Sequence, residues 1–279
     1  MQDQMEEDNR KHLVIPRIIH KLAPDRKDWH PVWVPCHHSW LKAFANKDPQ
    51  FRFDMWHDVR IDSYIENYWT DHWEIWHNFP IQIVKLDIAR YIIMYEFGGI
   101  YSDMDTYCYK YFYDELKGDT IYIGPSQVEE HELVQNSFLA SHGRSLFWRE
   151  VIAEAFRRIK DYDRGIGTIV TGINSEVYRF IQWSAGCGLL SDVYHKMKDE
   201  YKIEILDKTK YQVEPETYNE NVITRHMSTG RWGHKIPKIV VENYRKKHPD
   251  MTVEEILKLD YKEFRGIDLD NLDWTKTNG

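Results

Sequence analysis

Apolar positions recur along the chain at strand and helix spacings in alternating order. Val14 to His20 is a β-branched run that predicts the first strand, with Pro16 at its start, where a missing N–H is tolerated. Trp40, Leu41 and Phe44 recur at helical spacing in a segment from about Val34 to Ala45. Asp48-Pro49 stops it, and Phe51 to Trp56 alternates as a second strand. Val59 to Trp69 reads as a short helix, followed by an aromatic-rich connection from Trp73 to Phe79.

The next stretch, Ile81 to Asp105, organises the rest. At about 100° per residue, residues 81–97 form a helix with Gln82, Lys85, Ala89 and Glu96 on a wet face. Val84, Ile88, Tyr91, Met94 and Tyr95 lie opposite. Asp87 and Arg90 fall on the apolar side one turn apart, where a charge is costly unless it is paired or holds a ligand. Gly98 is the expected helix C-cap, because glycine takes the left-handed conformation without a Cβ penalty. Gly99 then opens a short strand. Period two puts Asp103 and Asp105 on the same side of its end. Two such carboxylates repel unless a cation lies between them, and oxygen ligands suit magnesium or manganese.

Further on, Thr120 to Gly124 is a buried strand, and Asn136 to Ala140 leads into a helix from Leu146 to Ile159. Gly165 to Gly172 crosses to a helix that Asn174 caps and that runs to about Trp183. Ile203 to Leu206 is a late strand, residues 224–234 a polar loop, and the remainder helical and charged. The order strand–helix–strand–helix–helix–strand predicts an α/β fold with a mainly parallel central sheet flanked by helices. Ligands bind such sheets at the carboxyl ends of strands, where His20 and Asp103/Asp105 are expected to meet. With no repeat and no low-complexity segment, one domain is expected over residues 13–236. A flexible tail (1–12) precedes it, and a helical C-terminal extension (237–279) packs on it.

Composition narrows the partners. The 37 Lys and Arg against 45 Asp and Glu give a formal charge of −8, which argues against gripping a nucleic-acid backbone. A small phosphorylated ligand remains open, because a divalent cation reverses the local field. The 11 Trp and 18 Tyr supply core packing and also surfaces on which sugars or bases stack. Cys36, Cys108 and Cys187 have no paired spacing, so neither a disulfide framework nor a zinc ribbon is expected. Cys108 reads as a small buried hydrophobe. Met1 to Lys11 has no apolar core of a signal peptide, and no run approaches a membrane span. The expected location is cytoplasmic, or the Golgi lumen if this is the lumenal part of an anchored protein. The oligomeric state stays open.

Taken singly, Asp103 and Asp105 also fit a solvated turn, Asp87 and Arg90 a pair that only holds the helix, and His226 a surface loop. In combination they carry a resemblance. Ile15-Pro16-Arg17-Ile18-Ile19-His20, Asp87-Ile88-Ala89-Arg90-Tyr91 and Gly98-Gly99-Ile100-Tyr101-Ser102-Asp103-Met104-Asp105 resemble successive blocks of the DXD-containing sugar-nucleotide glycosyltransferases, glycosyltransferase family 32. That family includes fungal initiating α-mannosyltransferases and is similar to the catalytic domains of clostridial glucosylating toxins. Asn136 with Phe138, Thr171-Gly172, and His226 with Gly230 and Trp232 resemble its later blocks.

The resemblance implies a GT-A fold and retaining transfer of a hexose or N-acetylhexosamine from a nucleotide-diphosphate sugar to a glycan or protein hydroxyl. A UDP-sugar is favoured as donor, GDP-mannose next. It implies that Asp103 and Asp105 handle Mn2+ or Mg2+ on the diphosphate, one of them through water or the ribose, with His226 a further metal or phosphate contact. Asp87 would bond sugar hydroxyls and Arg90 the sugar or diphosphate. His20, Tyr101, Asn136 and Trp232 would complete the donor site, Trp232 closing over it. With no carboxylate marked as nucleophile, front-face attack by the acceptor hydroxyl is expected. Two departures stand out: Ala23 sits near the place of a base-stacking tryptophan, and no proline follows Thr171-Gly172. The alternative reading is a non-catalytic nucleotide-sugar or carbohydrate-binding protein on a decayed transferase fold. A metal-dependent hydrolase is a third.

Overall fold

The computed structural model describes residues 13–126, 134–160, 175–211, 219–227, 229, 238–257 and 259. In chain order the elements are β1 (Ile18–Leu22), α1 (Trp33–Phe44), β2 (Arg52–Trp56), α2 (Asp58–Tyr68), α3 (Thr70–Asn78), α4 (Gln82–Phe97), β3 (Gly99–Ser102), β4 (Thr106–Cys108), β5 (Ile121–Pro125), β6 (Val134–Ser141), α5 (Leu146–Lys160), α6 (Ser175–Ser184), α7 (Cys187–Met197), β7 (Ile203–Ile205), β8 (Thr224–His226), α8 (Lys238–Lys247) and α9 (Val253–Leu257). They divide into two compact units. The first is Met1–Ala23, Arg52–Ser102 and Tyr113–Leu206; the second is Pro24–Phe51, Asp103–Phe112 and Asp207–Gly279.

The first unit holds a six-stranded sheet in the order β2-β1-β3-β6-β5-β7. β1 is parallel to β2 and β3, and β5 is parallel to β7. Only β6 runs against its neighbours β3 and β5. The mainly parallel α/β sheet is thus as expected, while β6 arises from a segment read only as the lead into a helix. The first strand starts later than its β-branched run suggests. Ile18 gives its N–H to Pro16 O at 2.8 Å in a local turn, so β1 begins at Ile18 and His20 sits mid-strand rather than at a strand end.

Helix α4 corrects the amphipathic reading of residues 81–97. Ala89 is 1% exposed and Lys85 9%, although the helical period places both on the wet face. A helix that is apolar nearly all round belongs inside a core. Lys85 is accommodated by Asp62 Oδ1 at 3.6 Å and by the Trp76 ring at 5.2 Å. That same Trp76 explains why residues 70–78 form a helix instead of a connection. It is buried, with its indole N–H on Asp62 Oδ1 at 2.7 Å. Packing against α2 fixes a segment whose local pattern was indecisive. Gly98 ends α4 at φ +60°, and a Cβ there would stand 2.3 Å from Gly143 N, so glycine is required by conformation and by contact. α7 was not anticipated. Asn174 and Gly165–Gly172 lie outside the described residues.

The second unit pairs β4 antiparallel with β8, Thr106 opposite His226. The stretch expected to be a loop from residue 224 therefore begins as a strand, because its partner lies far away in sequence. α1 grips β4 from one side: Trp40 Nε1 donates to Thr106 O at 2.8 Å, and Cys108 N donates to Ser39 Oγ at 2.8 Å. Val32, Cys36, Met227, Val241, Tyr244 and Ile256 form its core. Cys108 is buried, as its small apolar character suggests. Among the described residues no helix is long and apolar enough to cross a membrane.

Candidate active site

β3 ends at Ser102, so Asp103 and Asp105 do not share a strand face; both fall in the turn before β4. They converge all the same. Asp103, Asp105 and His226 each offer a ligand atom, all within 4.8 Å of one another. The β4–β8 register supplies His226, whose Nε2 lies 3.0 Å from Asp105 Oδ1.

The other carboxylate oxygen is held from a third place. Asp105 Oδ2 accepts from Thr229 N at 2.8 Å and Thr229 Oγ1 at 2.9 Å. Trp33 Nε1, at the start of α1, donates to Thr229 Oγ1 at 3.0 Å. The main chain closes the clasp, with Met227 N on Asp105 O at 2.8 Å. Burial would raise the Asp105 pKa, but the imidazole of His226 and the two Thr229 donors outweigh it and hold the carboxyl well below the usual range. Asp105 is therefore a fixed anion, with Asp103 half-buried beside it. Two carboxylates and one imidazole suit a hard-to-borderline divalent cation, and the residues present fit that group.

The first unit holds the second constellation. Asp87 Oδ1 pairs with Arg90 Nη2 at 2.9 Å, and each is 6% exposed. Asn136 joins them twice: its Nδ2 donates to Asp87 Oδ1 at 3.1 Å, and its carbonyl accepts from Arg90 Nη1 at 2.8 Å. The Arg90 guanidinium lies 5.0 Å over the Tyr101 ring. Tyr91 accepts from Asn136 Nδ2 at 3.1 Å and donates to Ala185 O at 2.8 Å. Burial, then the nearby Asp87 charge, drives the Tyr91 pKa up, so its hydroxyl stays a proton donor. Four expected residues, Asp87, Arg90, Tyr101 and Asn136, thus form one network. Its charges are paired well enough to be buried, and removing one partner of such a pair costs about 3–5 kcal/mol.

His20 is fully buried, with both ring nitrogens engaged. Trp56 Nε1 donates to Nδ1 at 3.1 Å, which leaves the proton on Nε2, and Nε2 donates to Gly98 O at 2.9 Å. Burial pushes its pKa down to about 4, so it is neutral. It ties β1, β2 and the α4–β3 corner together. Trp232, Gly230 and Thr171-Gly172 lie outside the described residues. Sequence reasoning missed Trp33, Tyr91 and Thr229. Thr229 follows His226 by three residues and had that proximity as a signal; Trp33 had none.

Residues 28–123 match the family described as the glycosyltransferase sugar-binding region containing a DXD motif. The chain is 32% identical over 112 residues to inositol phosphoceramide mannosyltransferase 1 of Schizosaccharomyces pombe, covering 40% of this chain and 34% of that protein. It is 31% identical over 105 residues to an uncharacterized glycosyltransferase of Acanthamoeba polyphaga mimivirus, covering 37% and 40%. It is 24% identical over 159 residues to mannosyl phosphorylinositol ceramide synthase SUR1 of Saccharomyces cerevisiae, covering 55% and 37%. The chain thus spans well under half the length of these curated relatives. Among solved structures, the PaToxG glycosyltransferase superposes with a TM-score of 0.46 at 14% identity, covering 70% of this chain and 75% of that one. The region that matches this family, residues 28–123, holds Asp87, Arg90, Asp103 and Asp105.

Proposed function

We propose that this chain is a metal-dependent, retaining glycosyltransferase of GT-A type that moves a hexose from a nucleotide-diphosphate sugar to a glycan or lipid-linked hydroxyl. The observation that carries the reading is the cluster of Asp103, Asp105 and His226, with Asp105 held as an anion by His226 and Thr229. The names of both fungal relatives above specify mannosyl transfer. On that ground GDP-mannose moves ahead of a UDP-sugar as the first donor to test.

A divalent cation held by these three side chains supplies charge neutralisation for the leaving diphosphate. The protein's part is to keep the ligand atoms ready. Thr229 fixes which Asp105 oxygen faces His226, and His226 offers Nε2 as a ligand once its proton sits on Nδ1. Asp87 and Arg90 are assigned to the donor, Asp87 to sugar hydroxyls and Arg90 to the sugar or diphosphate. Tyr101 and Asn136 hold Arg90 and Asp87 in place. Charge on the departing phosphate is stabilised by preorganised donors of this kind. The acceptor hydroxyl attacks on the face the diphosphate leaves, so no carboxylate nucleophile is required.

The test is sugar release and transfer from GDP-mannose and UDP-sugars, with Mn2+, with Mg2+ and with chelator, alongside Asp103→Asn and Asp105→Ala. Activity that needs metal and vanishes in both variants while their melting temperatures hold supports the assignment. Full activity in either variant or in excess chelator refutes it. Donor binding with no turnover on water or any acceptor favours the non-catalytic alternative.

A further inference from the structure

A pocket of about 340 Å3 opens in the first unit at the α2–α3 junction, against the end of α4 and the start of α5. Tyr95 in its wall lies eight residues beyond Asp87 on α4, about 12 Å along the axis at 1.5 Å per residue. The pocket is therefore separate from the Asp87–Arg90–Asn136 network.

Its aromatic side is built and held from behind. Trp69 and Tyr95 meet edge to face, ring centres 5.9 Å apart at 78°. The Trp69 indole N–H is tied to Glu96 Oε1 at 3.2 Å. Arg144 pairs with Glu96 at 2.5 Å and lies 5.2 Å over the Tyr95 ring. Tyr68, 72% exposed, rests on Tyr64 at 4.7 Å. Three aromatic rings thus line a concave surface with little rotamer freedom left to lose on binding.

The polar side balances in charge. Asp71 and Arg149 are both exposed in the lining, one anion and one cation, each planar and able to make two hydrogen bonds at once. In the first turn of α3, the His72 amide is already taken by Trp69 O at 2.8 Å. His72, also in the lining, keeps a buried Nδ1 with no hydrogen-bond partner. A phosphate would meet the Asp71 carboxylate, and an ammonium the Arg149 guanidinium. A ligand that presents an apolar C–H face to rings and neighbouring hydroxyls to a carboxylate and a guanidinium, with no net charge, is a pyranose. The volume is at the low end of small-molecule sites, about 300–1,000 Å3, enough for one or two sugar rings.

We propose that this pocket is a non-catalytic saccharide site that takes a neutral hexose unit of a glycan. The inference stands apart from the transfer reaction, since none of its residues belongs to the candidate active site. Methyl α-mannoside, methyl β-glucoside, methyl β-galactoside and mannobiose serve as neutral probes, with glucose 6-phosphate as the charged control. Ligand-observed NMR and calorimetry would follow binding to the full chain and to Tyr68→Ala, Asp71→Ala, Arg149→Ala and Asp103→Asn. The expected result is saturable millimolar binding of at least one neutral probe. Affinity falls at least tenfold in Asp71→Ala or Arg149→Ala, melting temperature and nucleotide-diphosphate binding are unchanged in those variants, and saccharide affinity is unchanged in Asp103→Asn. No saturable binding of any neutral probe, binding that all three pocket variants leave intact, or a preference for the charged control overturns it. Loss of nucleotide binding in Asp103→Asn with retained saccharide binding separates the two sites.

Discussion

The neutrality of His20 makes the stability of the first unit depend on pH in a calculable way. In the folded chain its pKa is pushed down to about 4 against a usual 6.5, mainly by burial. Below pH 6.5 the unfolded chain takes up a proton at this position and the folded chain does not. The unfolded state then binds more protons, so stability falls as pH drops from 6.5 towards 4, and the effect levels off below 4. At 1.36 kcal/mol per pH unit, the interval from 6.5 to about 4 is worth about 3 kcal/mol, of which about 2.5 kcal/mol is lost by pH 4.5. His20→Gln removes the titrating group and keeps an N–H able to reach Gly98 O. Urea unfolding of both proteins at pH 7.5 and 4.5, followed by fluorescence, isolates the contribution. The other 13 of the 14 histidines are common to both proteins and cancel in the comparison. The wild-type advantage over the variant should shrink by about 2.5 kcal/mol between the two pH values. Parallel pH profiles would refute the account. So would loss of donor binding in a variant that is fully folded at pH 7.5, which would make His20 a ligand contact rather than a brace.

Thr229→Val should weaken divalent-ion binding by about 10- to 100-fold, the usual effect of removing a partner that orients a metal ligand. Thr229→Ser should keep most of it, and calorimetry without donor reads both; equal affinity in the valine variant would show that the hydroxyl does not orient Asp105. Gly98→Ala forces a Cβ to within 2.3 Å of Gly143 N at φ +60° and should cost on the order of 1–3 kcal/mol for the strained backbone alone, seen as a fall in thermal midpoint. An alanine variant as stable as wild type would mean that the α4–β3 corner can relax.

The sequence revealed whatever local pattern controls. Asp87 and Arg90 stood out because charges at helical spacing among Val84, Ile88 and Tyr91 need a reason to be there, and the structure gives it in Asn136 and Tyr101. The wet face of α4 was misjudged because Ala89 and Lys85 are covered by other elements, and no one-dimensional period reports what packs on a helix from outside. The aromatic stretch from Trp73 to Phe79 went unread as a helix for a similar reason: Trp76 finds its partner in Asp62 of α2. His226 emerged only through the family resemblance, since its place opposite Thr106 is a matter of strand pairing. Trp33 left no trace at all. Its bond to Thr229 spans 196 residues, and nothing near either residue announces the other.

The clasp on Asp105 bears on how such a site comes into being. His226, Met227 and Thr229 reach Asp105 across a chain closure of some 120 residues, and the family region ends at residue 123, well before any of them is reached. Non-local contacts of this span form late, after nearer ones have organised the chain. A ribosome that has released the whole DXD segment has therefore produced two carboxylates in a turn and not yet a site for a cation. If the proposed cation role holds, ion binding reads out whether the C-terminal part of the chain has joined β4, and a truncation before Thr224 would silence it while leaving every residue of the motif in place.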